Sequence, residues 1–253
     1  MTIDLTKITR GKEPSPPRIV LYGTGKVGKS TFAAGAPNPI FFDIEGGIKN
    51  LDVSKERITT YAEFVEMLSA LFEQDHKFET VVIDSADWLE SLLFNEVCTL
   101  SGVKSIEEAN GGWGKGYTAA LNLWRELLEG LSQLVEQKGM GIIIICHDKV
   151  RPYNDPTTEA YDRYTLKLHD GKNSSAVDLV KEWADCILFA KEKTVVTSEG
   201  KGKKMGRKLY TTETPAFVAG NRYGLPEELP LSWDAFETAF KQSTNPTTGE
   251  RND

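Results

Sequence analysis

Gly23-Thr24-Gly25-Lys26-Val27-Gly28-Lys29-Ser30-Thr31 follows directly on the apolar run Arg18-Ile19-Val20-Leu21-Tyr22, and its reading sets the rest of the chain. Gly23 to Ser30 fits G-x-x-x-x-G-K-[ST], a loop whose glycines let successive backbone N–H groups turn toward a polyphosphate. Lys29 is expected to reach the β and γ phosphates and Ser30 to offer its hydroxyl to a magnesium ion. The helix that follows adds partial positive charge at its start.

Gly23, Gly25 and Gly28 also spell G-x-G-x-x-G, and Asp43 ends the next apolar run, where a dinucleotide fold places its ribose-binding acid. Lys29-Ser30, which a dinucleotide fold does not need, and Asp84 decide for the phosphate loop. Asp84 closes the run Thr80-Val81-Val82-Ile83 and suits the magnesium shell beside Ser30. Glu45 follows Ile40-Phe41-Phe42-Asp43-Ile44, so it sits at the C-terminal edge of a buried strand, facing the crevice where open α/β sheets bind ligands. His147 and Asp148 follow Gly141-Ile142-Ile143-Ile144-Ile145-Cys146, the most hydrophobic segment and the expected centre of the sheet. His147 reads either as a structural histidine or as a γ-phosphate sensor.

Buried strands alternating with helical patterns place the chain in the α/β class, with a mostly parallel sheet flanked by helices. The helix after the phosphate loop must be short, because Gly35, Pro37 and Pro39 close it. Thr60 and Glu63 form a capping box for the next helix, Asp87 and Glu90 suit the start of another, and Leu121, Trp124, Leu128, Leu131 and Val135 mark a long core helix. Thr194 to Thr197 and Lys208 to Thr211 flank a glycine- and lysine-rich turn that reads as a C-terminal β-hairpin. A further strand is expected near Ala216 to Ala219, and Ser232 as the cap of a last helix. Residues 1–17, ending in Pro14-Ser15-Pro16-Pro17, read as a flexible leader, 18–242 as one ATPase-sized domain and 243–253 as a disordered tail.

The net charge of −7 over 253 residues leaves nucleic-acid binding to local basic segments. No apolar run approaches the ~18 to 20 residues of a membrane span, and the N-terminus lacks the build of a signal peptide, so no membrane partner and a cytoplasmic location are expected. Cys98, Cys146 and Cys186 read as reduced thiols. Three segments could meet nucleic acid. Gly111 to Tyr117, with Trp113, Lys115 and Tyr117, is either a flexible helix connection or a mobile loop with stacking aromatics. Residues 149 to 172 lack periodicity and carry Arg151 and Arg163; so long a loop is usually functional or disordered. Lys191 to Lys208 holds seven basic and two acidic residues, Lys203, Lys204, Arg207 and Lys208 among them, and reads as a solvated tip or as a phosphate-backbone footprint.

With these residues in place the chain resembles the RecA-like P-loop ATPases, most closely the phage-encoded RecA-like recombination ATPases of the Sak single-strand annealing type. The similarity rests on the phosphate loop, Phe42 to Gly47, Val82-Ile83-Asp84-Ser85, Gly114 to Tyr117, Ile145-Cys146-His147 and Asn221 to Pro226. It implies Glu45 as the general base, His147 as the γ-phosphate sensor and Arg222 as a basic finger reaching a neighbour's site. It also implies DNA loops near residues 101 to 116 and 149 to 172, ATP and Mg2+ as substrate and cofactor, and a location in the host cytoplasm if phage-encoded. The expected function is an ATP-dependent single-stranded-DNA recombination or annealing protein working as a homo-oligomer, ring or filament, with a single-strand-binding protein as a possible companion. Two other readings stay open, a nucleotide-gated assembly protein with incidental turnover and a small-molecule kinase.

Overall fold

The computed structural model describes residues 15–196 and 202–244. In chain order the elements are β1 (Arg18–Gly23), α1 (Lys29–Ala34), β2 (Pro39–Asp43), β3 (Ser54–Arg57), α2 (Tyr61–Glu73), β4 (Thr80–Asp84), α3 (Ala86–Ser101), α4 (Lys115–Lys138), β5 (Gly141–Tyr153), β6 (Tyr161–Leu166), β7 (Asp170–Gly171) and β8 (Ser174–Ser175). They continue with α5 (Ala176–Trp183), β9 (Cys186–Val196), β10 (Gly202–Tyr210), β11 (Gly220–Asn221), β12 (Glu228–Pro230) and α6 (Trp233–Thr244). The main sheet runs β12-β10-β9-β1-β5-β4-β2-β3. From β9 to β3 neighbours are parallel, whereas β10 and β12 join antiparallel at one side.

The continuous apolar runs form the central strands because both faces of the sheet are covered. Val20, Tyr22, Val81, Ile83, Ile142 and Ile144 point to one face, into a core with Leu89 of α3, Trp124 and Leu128 of α4 and Val180 of α5. Ile19, Leu21, Val82, Ile143 and Ile145 alternate to the other face, where Phe32 of α1 and Phe236 of α6 cover them. Each such side chain contributes about 1.5–3 kcal/mol on burial, so register is strongly specified here. The capping box of Thr60 and Glu63 opens α2 as read from sequence. Ser232 Oγ accepts the Ala235 N–H at the start of α6.

Several expectations are corrected. Residues 149 to 172 are not a structureless loop: β5 runs on beyond the sheet to Tyr153, turns, and returns as β6 in an antiparallel hairpin, followed by the small β7–β8 ladder. Cross-strand polar contacts hold this region, including Arg151 to Asp170 at 3.2 Å, so no apolar period announces it. Lys115, Gly116 and Tyr117 belong to the first turn of α4, leaving only a 3-10 turn (Ala109–Gly111) and the residues up to Gly114 as the connection. No strand forms at Ala216 to Ala219; Phe217 makes isolated bridges to Tyr164 and Thr214. The hairpin of β9 and β10 forms, with β9 continuous from the core sheet. Its turn at 197–201, residues 1–14 of the expected leader and residues 245–253 of the expected tail lie outside the described residues. Among the described residues no helix is long and apolar enough to cross a membrane.

Candidate functional site

The site begins where β1 ends. Gly23 is paired with His147 on one side and Ala190 on the other, and it leaves the strand at φ 146°. A Cβ there would stand 2.0 Å from the Ala190 carbonyl oxygen, so the chain can turn out of the sheet into the phosphate loop only at a glycine. Val27 anchors the loop in the core, while Gly25, Lys26 and Thr31 are exposed and Thr24, Gly28 and Ser30 partly so. Lys29, the first residue of α1, is buried, and its Nζ donates to the carbonyls of Gly23 at 2.7 Å and Thr24 at 3.2 Å. Burial holds its pKa below the ordinary lysine value.

Ser30 Oγ donates to Asp84 Oδ2 at 2.6 Å. Burial raises the Asp84 pKa against that hydrogen bond, and the charges of Glu45 and Asp43 add to the rise. The charge of Lys29 offsets this only in part, which leaves Asp84 short of positive charge at the mouth of the phosphate loop. The serine hydroxyl and carboxylate oxygen brought together here are the hard donors magnesium takes when phosphate oxygens complete its shell, so the residues present fit that ion.

Strand order builds the rest. Because β5 lies between β1 and β4, His147 stands beside the phosphate loop, and Asp84 and Asp43 follow along the same edge, paired with each other across β4 and β2. The backbone N–H groups of Ile44 and Glu45 both donate to the Asp84 carbonyl, at 2.8 and 3.1 Å, which carries Glu45 toward the crevice. Asp43 Oδ1 accepts the Gly46 N–H at 2.7 Å, and Arg57 donates to the Asp43 carbonyl at 2.8 Å, fixing the turn that follows.

His147 joins the two sides. Its Nδ1 lies 3.0 Å from both carboxylate oxygens of Asp87, and its Nε2 is 3.8 Å from Glu45 Oε2. The Asp87 hydrogen bond raises the His147 pKa, overcoming burial. Burial alone would push Asp87 up, but hydrogen bonds and charge from His147, with a 2.9 Å bond from Ser85 Oγ, bring it to about 2. With Nδ1–H committed to Asp87, the second proton of the imidazolium sits on Nε2, toward Glu45. Lys167 adds charge to the Asp87 carboxylate at 3.6 Å.

Lys29, Ser30, Glu45, Asp84 and His147 therefore converge on one edge. The other named residues do not. Arg222 follows β11, which pairs with the beginning of β9, and its guanidinium lies 3.4 Å from Asp185 at the opposite edge of the sheet. Within the chain it cannot reach the phosphate loop. Arg163 is buried, ion-paired with Glu213 and stacked over the Tyr153 ring at 4.8 Å, so it is withdrawn from any nucleic-acid backbone. Tyr117 is likewise engaged, stacked on His169 at 4.0 Å and donating to Glu107 at 2.6 Å. Lys115 and Arg151 are exposed. Lys204 pairs with Glu192 at 2.9 Å and Lys208 with Glu228 at 2.9 Å; the Lys203 side chain lies outside the described residues. Asp87 and Arg57 were missed as site residues. Asp87 carried only the signal of a helix cap, and nothing in the sequence pattern marks Arg57.

A family model described as an AAA domain matches residues 15–223, a span that contains the phosphate loop and every residue of the converging edge. No curated protein matches the chain.

Proposed function

The chain belongs to the AAA-domain family of P-loop ATPases, and from that premise we propose that it hydrolyses ATP by water attack on the γ phosphate, coupled to single-stranded DNA within a homo-oligomer. The observation that carries hydrolysis is the contact of Glu45 with a histidine whose other nitrogen is held by Asp87. Glu45 accepts the proton of the attacking water, and the adjoining imidazole orients that carboxylate and senses charge arriving at the γ phosphate. Lys29 moves from its loop carbonyls to the phosphate oxygens, where a buried ammonium is worth most. Ser30 and Asp84 would hold magnesium, which supplies neutralisation of phosphate charge. Phosphoryl transfer asks for positioning and charge rather than covalent catalysis, so these groups suffice in kind.

The DNA-dependent part rests on Trp113, 98 % exposed beside the exposed Lys115, and on the basic β9–β10 hairpin. An aromatic ring beside cations suits stacked bases and phosphates of a single strand. Arg222 can serve only a neighbouring subunit's nucleotide, so its role as a finger stands or falls with assembly; a single-strand-binding protein would be a companion on the same DNA. The test is ATP hydrolysis at fixed protein concentration with and without single-stranded DNA. Stimulation of tenfold or more is expected. A rate indifferent to DNA despite tight ATP binding would overturn the coupling and leave a nucleotide-gated assembly protein.

A further inference from the structure

The basic hairpin, which from sequence reads as a solvated tip or a phosphate-backbone footprint, divides into two parts. On β10 the register shifts between Lys204 and Arg207, and Gly206 within that bulge has φ 89°, a conformation side chains rarely adopt. The bulge places Arg207 two residues before the buried Leu209, on the face of β10 that packs toward α1. Its backbone carbonyl accepts the Leu231 N–H. Its guanidinium lies against the phosphate loop: a Cβ on Gly28 would meet Arg207 Nη1 at 3.2 Å. The neighbouring cations of the hairpin are committed elsewhere, Lys204 to Glu192 and both Lys193 and Lys208 to Glu228. No carboxylate among the described residues pairs with Arg207.

We infer that Arg207 is a nucleotide-binding residue of its own subunit, a guanidinium that closes on the diphosphate portion of the nucleotide held by the loop. This rests on the phosphate-loop reading of the site. The loop backbone supplies neutral N–H donors on the inside of the turn and Lys29 supplies a point charge beneath it. Arg207 adds from outside a planar fork that is always charged and matches phosphate oxygens two at a time. Because it comes from the base of the β9–β10 hairpin, it also links nucleotide occupancy to whatever the hairpin tip touches.

Titration of ADP into the full chain tests this without hydrolysis, for the natural protein and for Arg207→Ala, Arg207→Lys, Lys204→Ala and Lys29→Ala. Arg207→Ala should weaken ADP binding tenfold or more, Arg207→Lys should recover part of the loss, and Lys204→Ala should stay within twofold of the natural protein. Arg207→Lys keeps the charge and the stem, so it remains informative should the alanine variant fold poorly: affinity equal to the natural protein would show that the bidentate fork does no work. ADP affinity unchanged in Arg207→Ala while Lys29→Ala abolishes binding would overturn the inference and leave the loop assignment intact. Unchanged binding in Lys29→Ala would instead remove the site itself. Loss confined to single-stranded-DNA binding, read by anisotropy of a labelled oligonucleotide, would return Arg207 to the nucleic-acid surface and overturn the inference as well.

Discussion

The two ends of the central sheet carry similar side chains put to opposite use. At the N-terminal edge Asp185 takes two hydrogen bonds from the Arg18 side chain, at 3.0 and 2.8 Å, accepts the Arg18 N–H, and has Arg222 at 3.4 Å. Its oxygens are saturated by fixed cations, and although burial pushes its pKa up, the Arg18 hydrogen bonds bring it below the ordinary carboxylate range. At the C-terminal edge Asp84 has one serine hydroxyl and other carboxylates nearby, and its pKa is raised. A saturated carboxylate joins strands; an under-compensated one beside a phosphate loop is kept for a ligand. The same residue type is thus tied by fixed cations at one end and left short of them at the other, where the proposed reading assigns it to magnesium, and the two pKa shifts run in opposite directions.

The largest effects should come from the under-compensated edge. Lys29→Ala is expected to abolish ATP binding or turnover, since no other buried ammonium stands in the loop. Glu45→Gln should bind nucleotide with little change and lose turnover by about 10²–10⁴-fold, the range of a general base. The pair separates binding from chemistry when read by nucleotide titration and phosphate release together. Normal hydrolysis by the glutamine variant would remove Glu45 as the base and blur the contrast between the edges.

The saturated edge should answer in stability instead. Asp185→Asn keeps the shape but loses the charge that Arg18 and Arg222 face, at a cost of about 1–3 kcal/mol for a partly buried, charge-assisted contact. The natural contribution is present above the unfolded carboxylate pKa and disappears as pH falls through the lower folded value, so denaturation should separate the two proteins at neutral pH and bring them together in strong acid. Turnover per folded molecule should hardly move. A fall in DNA-stimulated turnover as deep as that of Glu45→Gln would mean that this edge meets a neighbour's nucleotide through Arg222.

Legibility in the sequence followed burial and stereochemistry. The strands ending at Gly23, Asp43 and Asp84, and β5 as far as Cys146, are readable because both faces of each are covered, leaving uninterrupted apolar runs with a candidate site residue at or just past the end. The phosphate loop was readable because its glycines answer to sterics, as Gly23 against Ala190 shows. The β5–β6 hairpin was not, because its strands leave the two-faced core and are held by pairs such as Arg151 with Asp170. Arg163 misled for the same reason: a basic residue in a polar stretch looks exposed, and only tertiary structure shows it ion-paired with Glu213 beneath Tyr153. Asp87 was read as a helix cap, since its partner His147 lies on β5, many residues away in sequence.

Glu90 offers the finest test, because it falls between the two cases. Its carboxylate is buried on α3 and accepts the His169 N–H at 3.0 and 2.8 Å from its two oxygens, tying the segment after β6 to the core. No fixed cation saturates it, and burial outweighs the hydrogen bond from His169, pushing its pKa up to about 7. Between the unfolded value near 4.5 and about 7 the unfolded chain therefore gives up this proton before the folded one does, and stability falls as pH rises; above that window the loss is constant. Glu90→Gln keeps an acceptor for the His169 N–H and removes the titration. Its stability should match the natural protein below the window and exceed it at pH 8 by ~1–3 kcal/mol. Taking the difference between the two proteins cancels His169, whose pKa burial shifts downward; Lys149, also lowered by burial, faces the Glu90 charge and titrates with it. A natural protein more stable than the variant at neutral pH, with the two converging in acid, would place Glu90 with Asp185; a variant that gains on the natural protein as pH rises places it with Asp84, a carboxylate kept at a cost beside the nucleotide edge; parallel profiles would place it with neither.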